Sequence, residues 1–157
     1  HQKNILHRDI KQDNFMIKER NSIKELYIID LGLAKRYIIE GNHIEEKQDK
    51  NIIGTVKYAS INIHNGIESS RRDDIESLCY TYISLYGKNL PWSELCENLK
   101  KDISNNDVYK DKIKEMKKKR KRRYQYHTHN HTTIITITIT ITTTTATKSS
   151  NQISGNV

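Results

Sequence analysis

Asp9, Lys11 and Asn14 lie within six residues of one another, and Asp30 follows sixteen residues after Asn14. They stand in two runs, His7-Arg8-Asp9-Ile10-Lys11-Gln12-Asp13-Asn14 and Asp30-Leu31-Gly32. That order of groups suits transfer of a phosphoryl group from a nucleotide. Such a transfer needs little covalent help and much positioning, with Mg²⁺ bridging phosphate oxygens and one carboxylate taking a hydroxyl proton. Asp9 is the candidate for that carboxylate. Lys11 can neutralise charge on the moving group. Asn14 and Asp30 offer the hard oxygen donors that Mg²⁺ prefers.

H-R-D-x-x-x-x-N with a downstream D-x-G is the catalytic-loop pattern of the protein kinases, a known template that this sequence matches. The neighbouring segments carry a narrower resemblance, to the casein kinase I family. They are HRDIKQDNFMI at 7–17, YIIDLGLAKRY at 27–37, GTVKYASINIHNGIESSRRDDIESLCY at 54–80 and LPW at 90–92. Most protein kinases close the activation segment with A-P-E, whereas casein kinase I members carry S-I-N, as Ser60-Ile61-Asn62 does here. The run from Ser70 to Leu78, SRRDDIESL, is also typical of that family.

The resemblance implies roles for further residues. Thr55 corresponds to the activation-segment threonine that bridges the catalytic aspartate and lysine, here Asp9 and Lys11. Asp74 corresponds to a buried helix aspartate that holds the backbone of the His7-Arg8 turn. His7, Arg8 and Gly32 are implied structural supports. Met16 falls where the family places an apolar side chain beneath the adenine ring of ATP. Lys57 takes the place of an arginine that binds an anion, often a phosphate already on the substrate. Lysine keeps the charge but lacks the planar fork that grips phosphate by two bonds. Leu31 stands for the usual phenylalanine, expected to keep Asp30 packed, and Cys79 for a glycine, expected to crowd a helix contact.

The implied fold is α+β and protein-kinase-like: a mainly helical C-terminal lobe with a short β-hairpin. No G-x-G-x-x-G occurs in the 157 residues, so the N-terminal lobe is expected to be absent and the chain alone inactive. The implied activity is that of a serine/threonine protein kinase of casein kinase I type, with ATP and Mg²⁺ as cofactors and acidic or phosphate-primed protein segments as substrates. The alternative is a non-catalytic kinase-lobe remnant that acts as a binding module.

Charge marks an expected boundary. The net charge is +8, yet residues 1–116 carry 19 basic and 19 acidic side chains. The excess comes from Lys117 to Arg123, seven basic residues in succession, together with Lys148. Residues 1–116 are therefore read as a partial kinase domain, and 117–157 as a basic run with a disordered, low-complexity Thr/Ile tail. A run of this kind can contact nucleic acid or an importin. His127, His129 and His131 alternate there as weak metal-ligand candidates. Two cysteines without C-x-x-C spacing fit free thiols in a reducing compartment. No apolar run is long enough to span a bilayer, so the expected location is cytoplasmic, nuclear or both.

Periodicity supplies the elements. A helix end is expected at 2–6, and strands at 15–17 and 26–29 flank a polar turn. Residues 38–52 read as a loop around Gly41-Asn42. A helix is expected over 73–86, with Ile75, Leu78, Tyr82 and Leu85 on one apolar stripe and Gly87 beyond its end. Pro91 opens a short helix through Leu99, with Trp92 packing its start, and 107–123 is compatible with another.

Overall fold

The computed structural model describes residues 1–20, 23–87, 89–102 and 104–130, with side chains through 121 apart from that of Ile23. Three small antiparallel pairs and four helices make up the described chain. Strand β1 (Ile5–Leu6) pairs with β4 (Lys35–Arg36), β2 (Phe15–Arg20) with β3 (Ile23–Ile28), and β5 (Ile38–Ile39) with β6 (Asn42–His43). The helices are α1 (Ile61–His64), α2 (Arg71–Leu85), α3 (Ser93–Lys101) and α4 (Asn106–Asn130). No described helix is long and apolar enough to cross a membrane.

Local chemistry explains most of these elements. Helix α2 starts where Asp73, in its first turn, reaches back: its Oδ2 accepts from the Ser70 N–H at 2.7 Å and the Ser70 hydroxyl at 3.0 Å. That is the return half of a capping box. Gly87, at φ 76°, closes the far end and donates to the Ser84 carbonyl. Lys100 and Lys101 sit in the last turn of α3, where cations suit the helix dipole. Glu40 and Gly41 both have positive φ, as a tight two-residue hairpin requires, so part of the expected 38–52 loop is the β5–β6 hairpin.

The core lies between the segment at 56–58 and the last two helices. Tyr58, Leu90, Trp92, Cys96 and Ile113 are buried together, with Val56, Tyr80, Ile83, Leu95 and Met116 packed around them. Trp92 and Tyr80 meet edge to face at 5.0 Å between ring centroids, an arrangement aromatic quadrupoles favour. Both cysteines are free.

Several expectations are corrected. Residues 2–6 end in strand β1, because Asn4 at φ 58° breaks any helix and Ile5–Leu6 pair with Lys35–Arg36. The apolar stripe of α2 does not face the core: Ile75 is 52% exposed, Tyr82 60% and Leu85 62%. The buried residues of this helix are Asp73, Asp74 and Thr81, because residues 7, 8 and 10 bond Asp74 and Thr81 while Ser60 and Asn62 bond Asp73. Leu31 and Cys79 are exposed, so neither packs nor crowds as expected. The boundary at 116 falls inside α4, whose residue Lys117 is a core residue. Residues 124–130 belong to that helix, and the rest of the Thr/Ile tail lies outside the described residues. The side chains of His127, His129 and His131 lie outside them too.

Ile113→Ala, at a position with no exposure, is expected to cost about 2–5 kcal/mol in urea unfolding. Ile75→Ala is expected to change stability by about 0.5 kcal/mol or less, as at an ordinary surface site. Equal losses would put the α2 stripe back in the core.

Candidate active site

The centre of the site is a carboxylate held by its neighbours. Asp9 is buried in the loop after β1. Its Oδ1 accepts the Thr55 N–H at 2.8 Å and the Thr55 hydroxyl at 2.7 Å. Its Oδ2 lies 2.8 Å from Lys11 Nζ. Lys11 Nζ also donates to Thr55 Oγ1 at 3.3 Å, so the three side chains close a triangle. Burial pulls the Asp9 carboxyl upward, but hydrogen bonds from Lys11 and Thr55 and the Lys11 charge hold it below its ordinary value. The hydrogen bond to Asp9 pushes Lys11 up, and the charges of Asp9, Asp13 and Asp30 add to this against the effect of burial. Asp9 is thus ionised and Lys11 charged at neutral pH.

Asn14 closes the loop at the end of the 3₁₀ turn Gln12–Asn14. Its side-chain NH₂ donates to the Asp9 carbonyl at 2.8 Å and lies 3.4 Å from Asp9 Oδ2. The amide oxygen is therefore the atom Asn14 can offer a cation. The Ile29 N–H donates to the Asn14 carbonyl at 2.9 Å, which ties the residue before Asp30 to the loop. Asp30 is exposed at φ 63°, a conformation aspartate tolerates, and its Oδ1 accepts from Gly32 N–H at 3.2 Å. A Cβ on Gly32 would sit 3.1 Å from that oxygen. One amide oxygen and one exposed carboxylate are a donor set that fits Mg²⁺, which keeps several waters of its own.

The loop's shape depends on Asp74. Arg8 has φ 66°, rare for a side chain of its size. Asp74, projecting from α2, accepts the His7 N–H at 2.8 Å and the Arg8 N–H at 2.9 Å. Burial lifts the Asp74 carboxyl above its ordinary value, although those two N–H groups oppose the rise. His7 Nδ1 accepts from the Asp9 N–H at 3.3 Å, which assigns the ring proton to Nε2 for donation to the Ile29 carbonyl at 3.0 Å. Thr81 of α2 adds a bond to the Ile10 carbonyl at 3.3 Å.

Of the expected site residues, the structure brings Asp9, Lys11, Asn14, Thr55, His7, Arg8 and Asp74 into one hydrogen-bonded assembly. Met16 lies on the exposed face of β2, opposite Tyr27. Lys57 is half-buried, with its amine 5.4 Å from the Tyr58 ring centroid. A cavity of about 110 Å³ lies beside Arg8 and is lined also by Lys35, Lys50 and Glu68. Glu68 is paired with Lys35 at 3.0 Å, so the wall keeps a positive excess.

A sequence model of the family described as "Protein kinase domain" matches residues 1–152. The chain belongs to that family. Protein kinases as a family are phosphoryl-transferring enzymes that use ATP and Mg²⁺, and the mixture of helices with small strands is that of a kinase-like fold. In this kinase domain, the chain at Gly54 meets the loop at Arg8 and Asp9 with no room for a side chain. Gly54, at φ 81°, lies so close to the loop that a Cβ would stand 2.3 Å from the Arg8 carbonyl oxygen.

Sequence reasoning did not single out Gly54, since neither its φ nor its neighbour is local information. It also missed a polar network beneath the segment. Ser60 caps α1 and donates to Asp73 Oδ1 at 2.7 Å, and Asn62 donates to the same oxygen at 3.1 Å. Glu76 accepts from the Ile61 N–H at 3.0 Å and from the Tyr80 hydroxyl at 2.8 Å. Lys117 is the largest departure from expectation. At 1% exposure it leaves the surface run to which its sequence assigns it. Lys118 pairs with Glu115 at 2.9 Å and Lys121 approaches Glu76 at 3.8 Å, so the basic run is partly engaged within the fold.

Burial pushes Lys117 down to about 7, although Cys96 and Glu76 work the other way. Burial, then the charges of Lys117 and Lys114, push its neighbour His64 down to about 3, against a hydrogen bond to the Val56 backbone. For Lys117, the stability gained from a neutral native amine is complete above the ordinary lysine value and is lost as pH falls toward 7. The melting temperature of the wild type should therefore rise relative to that of Lys117→Met between pH 7 and about pH 10. A constant difference across that range would return Lys117 to ordinary titration. Gly54→Ala should lower the melting temperature by roughly 5 °C or more, from left-handed strain of about 1–2 kcal/mol plus the backbone clash. An unchanged melting curve would mean that the segment can withdraw from the loop.

Proposed function

We propose that the protein is a serine/threonine protein kinase of casein kinase I type, and that the described residues belong to its helical lobe. The observation that carries this reading is the triangle of Asp9, Lys11 and Thr55. It leaves an ionised carboxylate positioned to orient an incoming hydroxyl and accept its proton as the oxygen bonds to phosphorus. Lys11 offers a fixed cation to the charge that develops on the transferred group. Asn14 and Asp30 would hold Mg²⁺, and Met16 would lie against the adenine. When bound, Mg²⁺ neutralises phosphate charge and bridges its oxygens.

Two observations support the narrower assignment. Ser60 and Asn62, the ends of the S-I-N triplet, both bond Asp73 of the SRRDD run, so the two segments that carry the resemblance form one structural unit. Lys57 and the cavity flanked by Arg8, Lys35 and Lys50 offer positive charge beside the loop, which suits acidic or phosphate-primed substrates. Contact of the basic run with nucleic acid or an importin is left to the residues after Lys117, and a cytoplasmic or nuclear location accords with such substrates.

Transfer of label from γ-labelled ATP to acidic and phosphoserine-primed peptides, with Mg²⁺ present, tests the reading on the protein as its gene encodes it. Asp9→Asn should lower kcat by roughly 100-fold or more. Lys57→Ala should raise KM for primed peptides with little change in kcat, the signature of lost uniform binding. Full activity in Asp9→Asn, or a preference for basic peptides, would be incompatible with this function.

A further inference from the structure

We propose that Lys117 is a positioning residue: its amine and the Trp92 indole clamp three carbonyls of the turn at 55–59, and so set Thr55 against Asp9 and aim Lys57. The inference rests on the phosphoryl-transfer reading for its functional meaning, and on geometry for the clamp itself. Lys117 Nζ donates to the Val56 carbonyl at 2.9 Å and the Ala59 carbonyl at 2.6 Å, and lies 3.1 Å from His64 Nε2. Trp92 Nε1–H donates to the Lys57 carbonyl between them at 2.8 Å. The same amine stands 5.1 Å from the centroids of both the Tyr80 and Trp92 rings, within the range at which a cation is drawn to an aromatic face.

The turn hands this restraint on. The Tyr58 and Ala59 N–H groups both donate to the Thr55 carbonyl at 2.9 Å. Ala59 is therefore bound on one side to Lys117 and on the other to Thr55. Thr55 in turn places two donors on Asp9. Carbonyls 56, 57 and 59 belong to no strand or helix ladder, and buried carbonyls need donors from somewhere. A hydrocarbon side chain of similar volume would fill the space without desolvating an amine. Packing alone thus does not account for a lysine here, whereas its donors do.

The amine can serve in either protonation state. Charged, it has three N–H groups for two carbonyls and a bare His64 Nε2. Neutral, it has two for the carbonyls and a lone pair for a His64 Nε2–H. The clamp therefore does not rely on the charge of Lys117.

The test compares the wild type with Lys117→Met, Lys117→Gln and Trp92→Phe, by amide hydrogen exchange of peptides covering 54–60 and by steady-state kinetics. In Lys117→Met, exchange at Thr55, Tyr58 and Ala59 should quicken at least about tenfold, the size expected when buried carbonyls lose their donor. Exchange in β2–β3 should stay as it was. With it, kcat should fall about tenfold and KM for peptide should rise, while KM for ATP stays within about twofold. Lys117→Gln keeps two N–H donors and should recover part of both effects. If Lys117→Met does not fold, Trp92→Phe decides, since it keeps an aromatic six-membered ring and deletes the indole N–H donor. Faster exchange confined to 54–60 supports the clamp, and unchanged exchange there overturns it. Loosening spread evenly over the chain, with Gln no better than Met, reduces Lys117 to core filling and also overturns it. A wild type that protects these amides and transfers no phosphate would remove the kinase reading while leaving the clamp in place.

Discussion

The site depends on one buried carboxylate that lies outside the triangle of Asp9, Lys11 and Thr55. Asp74 collects the N–H groups of His7 and Arg8, and without those two bonds the left-handed backbone at Arg8 would lack compensation for its strain. Because Arg8 turns there, Asp9 points inward to Thr55 and Lys11, while His7 reaches the Ile29 carbonyl beside the expected metal aspartate. The carboxylate stands on α2, the longest helix packed against the loop. Helix α2 thus acts as a frame for backbone atoms, and its most deeply buried residues, Asp73, Asp74 and Thr81, are polar for that reason.

A second set of contacts fixes the activation segment from below. Asp73 and Glu76, three residues apart on α2, take up the Ser60, Asn62 and Ile61 donors. Gly54 closes against the Arg8 carbonyl at the other end. The segment between carries Thr55, which bonds Asp9, and Lys57, so both lie between two anchored ends. Dense polar satisfaction of this kind rigidifies a site, since each group left unpaired in a dry interior is costly.

That Asp9, Lys11 and Asn14 lie together was legible because they are near neighbours in the chain. Helix α2 was legible from its period and from Gly87 beyond its end, although it starts at Arg71 and not at Asp73. What the sequence did not convey is direction. Ile75, Tyr82 and Leu85 form a sound apolar stripe, yet α2 turns Asp74 and Thr81 inward because backbone donors from residues 7 and 8 and the carbonyl of Ile10 meet it there. Lys117 fails for a related reason. Within seven basic residues nothing local distinguishes the first, and only the carbonyls of Val56 and Ala59, some sixty positions earlier in the chain, with His64 and the Trp92 ring, make a place for it. Gly54 carries its meaning in a φ angle and a close approach, neither of which a one-dimensional pattern displays.

Helix α4 has a mechanical aspect. It runs unbroken from Asn106 to Asn130, and Lys117 is near its midpoint. Among its described side chains, Ile113 and Lys117 are buried, with Met116 packed beside the core. Lys121, one turn further out, adds only a long contact to Glu76. A displacement of the helix at Lys117 would be felt first at the carbonyl oxygens of Val56 and Ala59, whose hydrogen bonds that amine supplies.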